Sequence, residues 1–167
     1  LALAAGTAMG AINGALVHIT RINAFIITLA TSFMYRGLSL IVTQGIPITK
    51  LPQDFRDFGC GDIFGMESGV TMAFVVILIL IPLFYRMRWG HYVTALGGNP
   101  EALKRSGVAT GRYRVSAFAL MGLLSALAGI IITARLNSAE ANAGLNMEMD
   151  AICAVIMGGT ALHGGSG

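Results

Sequence analysis

From Val115 to Ala134 the chain runs without a single charged side chain. A bilayer core of roughly 30 Å needs about 20 residues of helix to cross it, and a helix is the one open element that satisfies its own backbone polar groups there. Four further charge-poor runs, at about 1–17, 23–43, 70–85 and 151–163, read the same way, the first and last being short. Charged residues make up only 11% of the chain, against roughly a quarter in a soluble domain. The expected fold is therefore all-α: a polytopic transmembrane helical bundle, one domain over 1–167, solvated by the lipid bilayer. The chain opens inside one apolar stretch and stops at Gly-Ser-Gly after another, which reads as an internal fragment truncated at both ends.

Orientation follows from Lys and Arg, which short loops retain on the cytoplasmic side. The loop 86–114 holds Arg86, Arg88, Lys104, Arg105, Arg112 and Arg114 against one acid, Glu101, and is expected to be cytoplasmic. The loop 44–69 carries Lys50 and Arg56 against Asp54, Asp57, Asp62 and Glu67, and is expected to be extracytoplasmic. Arg135 with Glu140, Glu148 and Asp150 suits the same outer side, and the turn at Arg21 then falls inside. The formal charge of +3 is small and dispersed, which sets nucleic acid aside as a partner.

Within the spans, Gly6, Gly10 and Gly14 recur every four residues and line one helix face, the pattern that lets two membrane helices approach closely. Asn13 beside them reads as an interhelical hydrogen-bonding group or as a contact on a translocation path. Arg36 sits seven residues before Thr43, roughly 10 Å from the outer end of its span. It is either a snorkelling or bundle-facing structural residue or a functional one. Cys60 and Cys153 are too far apart in sequence and too different in setting to suggest a metal site or a disulfide framework. His18, His91 and His163 are likewise dispersed, and no catalytic constellation is visible.

The cytoplasmic loop carries start and stop signals for a short helix. Asn99 is a good N-cap, Pro100 fits the first helical position and Glu101 faces the positive end of the helix dipole. Glu101 and Arg105 are spaced as an i,i+4 pair, Lys104 and Arg105 suit the C-terminal end, and Gly107 can take the left-handed conformation that ends the helix. Two turns alone are marginal in water, so something must hold them. The helix either lies on the headgroups, with Trp89 and Tyr92 as interface anchors, or docks a cytosolic partner.

These residues carry a family resemblance. Leu96-Gly-Gly-Asn-Pro-Glu-Ala-Leu-Lys-Arg-Ser-Gly-Val108 resembles the cytoplasmic loop of ribose/xylose-type sugar ABC transporter permeases. Ala134-Arg-Leu-Asn-Ser-Ala-Glu140, Gly144, Glu148-Met-Asp-Ala-Ile152 and Val155-Ile-Met-Gly-Gly-Thr-Ala-Leu-His-Gly-Gly-Ser-Gly167 resemble the same family's segment leading into a glycine-rich span. Ala141 stands where members often have Pro, and His163 where small or apolar residues are usual. The resemblance implies that the short helix is a coupling helix seated in a groove of a cytosolic ABC ATP-binding subunit. Gly97, Gly98, Asn99, Glu101, Ala102, Ser106 and Gly107 match the motif position by position, and Arg105 joins them as the partner of Glu101.

The resemblance further implies a second permease copy, as a homodimer or related heterodimer, and a periplasmic or extracellular sugar-binding protein. ATP and Mg would be used by the partner ATPase, with no cofactor bound by this chain and no enzymatic activity of its own. Location in the bacterial inner membrane and import of a monosaccharide follow from the same likeness. The alternatives are a secondary transporter, which would keep ionisable residues in its spans, and a branched-chain amino-acid ABC permease.

In the last apolar run, Gly158-Gly159-Thr160 is followed by Gly164-Gly165. Each Gly costs roughly 1 kcal/mol relative to Ala inside a helix, so the segment is expected either to be a broken or re-entrant helix or to be a helix ended by a turn. Asn13, Arg36, Gly158, Gly159 and Thr160 are the candidates for a translocation path, with hydroxyls such as Thr28, Thr31, Ser32 and Ser125 as further neutral hydrogen-bonding groups.

Overall fold

The computed structural model describes residues 1–49, 51–53, 55, 59, 61–63 and 66–160. In chain order its helices are α1 (Ala2–Thr20), α2 (Ala24–Thr43), α3 (Ser68–Tyr85), α4 (Arg88–Gly98), α5 (Pro100–Arg105), α6 (Thr110–Leu136) and α7 (Met147–Met157). Four two-residue strands, β1 (Ile48–Thr49), β2 (Asp62–Ile63), β3 (Met66–Glu67) and β4 (Ser138–Ala139), pair β1 with β4 and β2 with β3, both antiparallel. The chain is all-α and polytopic: α1, α2, α3 and α6 have 19, 20, 18 and 27 residues and are long and apolar enough to cross a membrane. These four match the first four apolar runs. At 1.5 Å per residue α6 is roughly 40 Å long, about 10 Å more than a bilayer core, and Arg112 and Arg114 lie in its first turns, ahead of the uncharged run.

The fifth run is different. Helix α7 has 11 residues, roughly 16 Å or half of a bilayer core, and it stops at Gly158 before the expected end of the span. Gly159 takes φ +89°, its N–H donates to the Ile156 carbonyl at 3.0 Å, and the Thr160 N–H donates to the Val155 carbonyl at 3.3 Å. That pair of bonds is a Schellman termination. As far as residue 160, therefore, the first glycine pair ends a helix; Gly164, Gly165 and His163 lie outside the described residues, as does Cys60.

The centre of the fold is the antiparallel pair α1–α6. Gly6 lies against Gly122 and Ala126, Gly10 against Phe118 and Gly122, and Gly14 against Val115 and Phe118. The glycine stripe is thus a groove into which a second small-residue face fits, and a Cβ on Gly10 would stand 3.0 Å from the Gly122 Cα. With no hydrophobic driving force between helices in lipid, such backbone proximity maximises dispersion contact. Asn13 Oδ1 is buried without a hydrogen-bond partner among the described residues, so the interhelical bond expected of it is not formed by that atom. Hydroxyls in the spans turn back on their own helix instead. Thr28 donates to the Ala24 carbonyl at 3.0 Å, Thr31 to Ile27 at 3.0 Å and Ser32 to Leu29 at 2.8 Å, which satisfies each proton locally.

The two ends of the bundle are built differently. At one end, β1 of the 44–69 loop pairs with β4 after α6, Ile48 opposite Ala139 and Thr49 opposite Ser138. Gly59 sits on the fully buried Ala134 at the end of α6, and its carbonyl accepts the buried Ser68 hydroxyl at 2.6 Å. At the other end, the left-handed turn at Arg21 (φ 57°) shares a cleft with α4, α5 and the start of α6. The two loops expected on one side are therefore joined at one end, and the two expected on the other side meet at the opposite end.

Candidate functional site

Helix α4 is not among the elements expected from the sequence, which marks only the short helix in this loop. Its signal is present all the same: Trp89, Tyr92, Val93 and Leu96 recur at i, i+3, i+4 and i+7, the spacing of one helix face. The two residues Arg86 and Met87 separate it from α3, so it folds back over the end of that span. Gly90 makes this possible, being buried against the Phe84 backbone with no room for a side chain. Trp89 meets Phe84 edge-on with ring centroids 5.5 Å apart, and Tyr92 lies 5.0 Å from Tyr113 of α6. The Trp89 indole N–H donates to the Ser116 hydroxyl of α6 at 2.8 Å. Trp89 and Tyr92 are half-buried, packed on α3 and α6 through these contacts.

Asn99 divides α4 from α5 by taking an extended backbone conformation (φ −149°, ψ 94°). Its side-chain oxygen accepts from the N–H groups of Glu101 at 3.1 Å and Ala102 at 3.0 Å. Pro100 occupies the first turn as expected, with Glu101 in the first turn and Lys104 and Arg105 in the last. At the other end Gly107 has φ +79°, its N–H donates to Lys104 at 3.1 Å, and the Val108 N–H donates to Leu103 at 3.4 Å. The Ser106 hydroxyl returns to the Ala102 carbonyl at 3.1 Å. Both caps predicted from sequence are formed.

The six residues of α5 are exposed except Leu103, which is half-buried, and Ser106 and Gly107 are exposed as well. Leu96 beneath it is buried, Gly97 half-buried and Gly98 exposed. Glu101 and Arg105 are both solvent-exposed and, among the described residues, no ion pair joins them, so the pair expected from their i,i+4 spacing is not formed and both charges are open to a partner. The cleft alongside is lined by His18, Arg21, Glu101, Lys104, Arg112 and Arg114 as well as apolar groups, so its electrostatics are basic with one acid. Replacing Asn99 with alanine removes both cap bonds and is expected to cost about 1 kcal/mol. Amide exchange at Glu101 and Ala102 should then quicken about fivefold while the spans are unchanged; Asn99→Asp should keep the wild-type rate.

Among the described residues no hydrogen bond or ion pair links the translocation candidates to one another. Asn13 lies midway along α1 and Arg36 is half-buried on α2, while Gly158, Gly159 and Thr160 form the exposed turn after α7. No Asp or Glu occurs in α1, α2, α3 or α6, so Arg36 has no acidic partner within the spans. Cys153 is exposed on α7, and among the described residues no group of His, Cys, Asp or Glu could hold a metal ion.

Residues 1–166 match the family model described as branched-chain amino acid transport system / permease component. The ribose import permease protein RbsC of Escherichia coli (strain K12) is 41% identical over 170 residues, covering 99% of this chain and 53% of that protein. RbsC of Bacillus subtilis (strain 168) is 43% identical over 157 residues, covering 93% and 49%. The D-allose transport system permease protein AlsC of Escherichia coli (strain K12) is 39% identical over 162 residues, covering 97% and 50%. No solved structure matches. The chain spans about half the length of the curated relatives it matches. A family match over nearly every residue, on a bundle of four membrane-length helices with a doubly capped helix at its basic end, makes this chain a member of the branched-chain amino acid transport system permease family.

Proposed function

We propose that the intact protein is the membrane-spanning permease subunit of an ABC importer, translocating a monosaccharide across the bacterial inner membrane at the expense of ATP hydrolysed in a separate subunit. The observation that carries this reading is α5. It is a two-turn helix with both ends capped, nearly every residue exposed, and it is held to two membrane spans through α4. A helix too short to persist alone is here fixed in place and turned outward, which is what a docking element for a cytosolic partner requires. The Glu101 and Arg105 charges, unpaired with each other, supply polar contacts for a groove of the ATP-binding subunit.

Sidedness rests on charge. The end bearing α5 collects Arg21, Arg86, Arg88, Lys104, Arg105, Arg112 and Arg114 with Glu101 as its only acid, while the other loops carry the remaining acids. By the positive-inside rule the α5 end is cytoplasmic and the β1–β4 end extracytoplasmic. ATP and Mg then belong to the partner ATPase, and an extracytoplasmic sugar-binding protein delivers substrate to the opposite end. Thr31 is the buried residue of α2 and Ser68 that of α3, which leaves most of the surface of these helices for other protein or lipid to cover. The rest of the chain and a second permease copy would complete the translocation path. The relatives named for ribose and D-allose favour a sugar over a branched-chain amino acid. The acid-free spans speak against proton or ion coupling in a secondary transporter.

The test is to co-purify the intact protein with its candidate ATPase and to compare Glu101→Arg and Arg105→Glu with wild type. Each reversal is expected to weaken association about tenfold and to lower uptake with it. Wild-type association and uptake in both variants would remove α5 as the docking element.

A further inference from the structure

A movement of α5 reaches the membrane only through the elements that join it to the spans. Helix α5 touches the spans little, whereas α4 lies along a seam with α6 in which Trp89 meets Ser116 and, three residues on, Tyr92 meets Tyr113 three residues back. The two helices therefore run in opposite senses along that seam. Leu96 and Gly97, a turn further along α4, line the same cleft as Thr110 and Gly111 at the start of α6.

The polar contact in this seam has a fixed direction. An indole N–H can only donate, so the Ser116 oxygen accepts at 2.8 Å, and the Ser116 proton is committed to the Tyr113 carbonyl at 2.9 Å. Both groups are half-buried, where the local dielectric is low and a lost partner is costly. Apolar packing alone would let α4 slide on α6. A donor-only group locked to an acceptor whose own proton is already placed fixes the angular setting of α4 at the first turns of a span roughly 40 Å long. The Phe84 ring, edge-on to the same indole, ties the end of α3 into the joint.

We propose that Trp89 and Ser116 are positioning residues for transport: their hydrogen bond is the joint that passes a displacement of the α4–α5 hairpin to α6. This rests on the docking reading of α5. It requires that breaking the joint leave the ATPase bound and hydrolysing while less sugar moves per ATP.

The experiment uses the full-length protein with its ATPase and binding protein in proteoliposomes, with whichever of ribose and D-allose the wild-type complex imports as the probe. Trp89→Phe removes the donor and keeps a ring for Phe84; Ser116→Ala removes the acceptor; Ser116→Thr restores a hydroxyl. Sugar imported per ATP hydrolysed is expected to fall about threefold to tenfold in Trp89→Phe and Ser116→Ala, no further in the double variant, and to return to within about twofold of wild type in Ser116→Thr. An unchanged ratio in both single variants overturns the joint, even if their thermal midpoints drop, because that is a purely structural role. Glu101→Arg and Arg105→Glu are measured alongside: if either releases the ATPase while Trp89→Phe leaves the ratio unchanged, docking stands and the joint alone fails. If Glu101→Arg and Arg105→Glu both retain the ATPase and uptake at the wild-type level, the docking reading falls and the joint with it.

Discussion

Gly10→Leu is expected to abolish recovery of a folded protein in detergent, while Gly129→Leu, in the partner helix, is expected to leave it intact or slightly improved. Both are glycine-to-leucine changes within long apolar helices, so the gain of roughly 1 kcal/mol in helix propensity is common to them. What differs is space. A Cβ on Gly10 would meet the Phe118 carbonyl and would stand 3.0 Å from the Gly122 Cα and 3.1 Å from its nitrogen, whereas nothing lies within 4 Å of one on Gly129. The obstructing atoms are backbone, which no rotamer change can move, and overpacking of even a few methylenes costs about 1–3 kcal/mol or more. Since α1 and α6 form the main helix pair of the fold, forcing them apart also strips the Gly6 and Gly14 contacts on either side. Size-exclusion profile and thermal midpoint of the full-length protein read the outcome. Equal behaviour of the two variants would mean that the glycine face of α1 does not pack as described.

The sequence foretold the parts of this molecule that depend on local chemistry. Four spans were legible because a bilayer demands long charge-poor runs, and the glycine stripe because periodicity of four on a helix has a geometric meaning. The caps of α5 were legible because Asn99 and Gly107 act on neighbours within three residues. Helix α4 was missed although Trp89, Tyr92, Val93 and Leu96 mark one of its faces. Its 11 residues are too few for a span, and aromatic residues beside a span also suit the headgroup level, so the periodicity alone does not single out a helix. The seat of Trp89 on Ser116 bridges 27 residues of chain, and the pairing of β1 with β4 joins loops from either side of α3 and α6; no local pattern encodes either. Of the two readings open for the glycine-rich run, the helix ended by a turn is the one formed as far as residue 160, because the Gly159 backbone takes a positive φ that ends the helix although apolar composition continues.

Gly90→Ala is the smallest change from which a large loss of transport is expected. In an ordinary helix interior this substitution stabilises by roughly 1 kcal/mol, so any loss must come from position 90 itself. A methyl there would stand 2.7 Å from the Phe84 carbonyl carbon and nearer still to its oxygen and Cα, all atoms of the last turn of α3. The connection offers no slack, being only Arg86 and Met87, so α4 must swing away from α3 and take Trp89 from Phe84. The α5 caps lie beyond the clash and still form, which means the docking helix survives but stands in the wrong place. Uptake by the intact complex is therefore expected to fall more than about tenfold, the factor that roughly 1.4 kcal/mol of misplacement would produce. The spans should still fold, giving a monodisperse protein with its thermal midpoint lowered by a few degrees, unlike the outcome for Gly10→Leu. Gly37→Ala, where an added Cβ meets nothing within 4 Å, serves as the neutral control. Wild-type uptake in Gly90→Ala would show that the setting of α4 on α3 is unimportant, and the route from α5 into the membrane would have to run elsewhere.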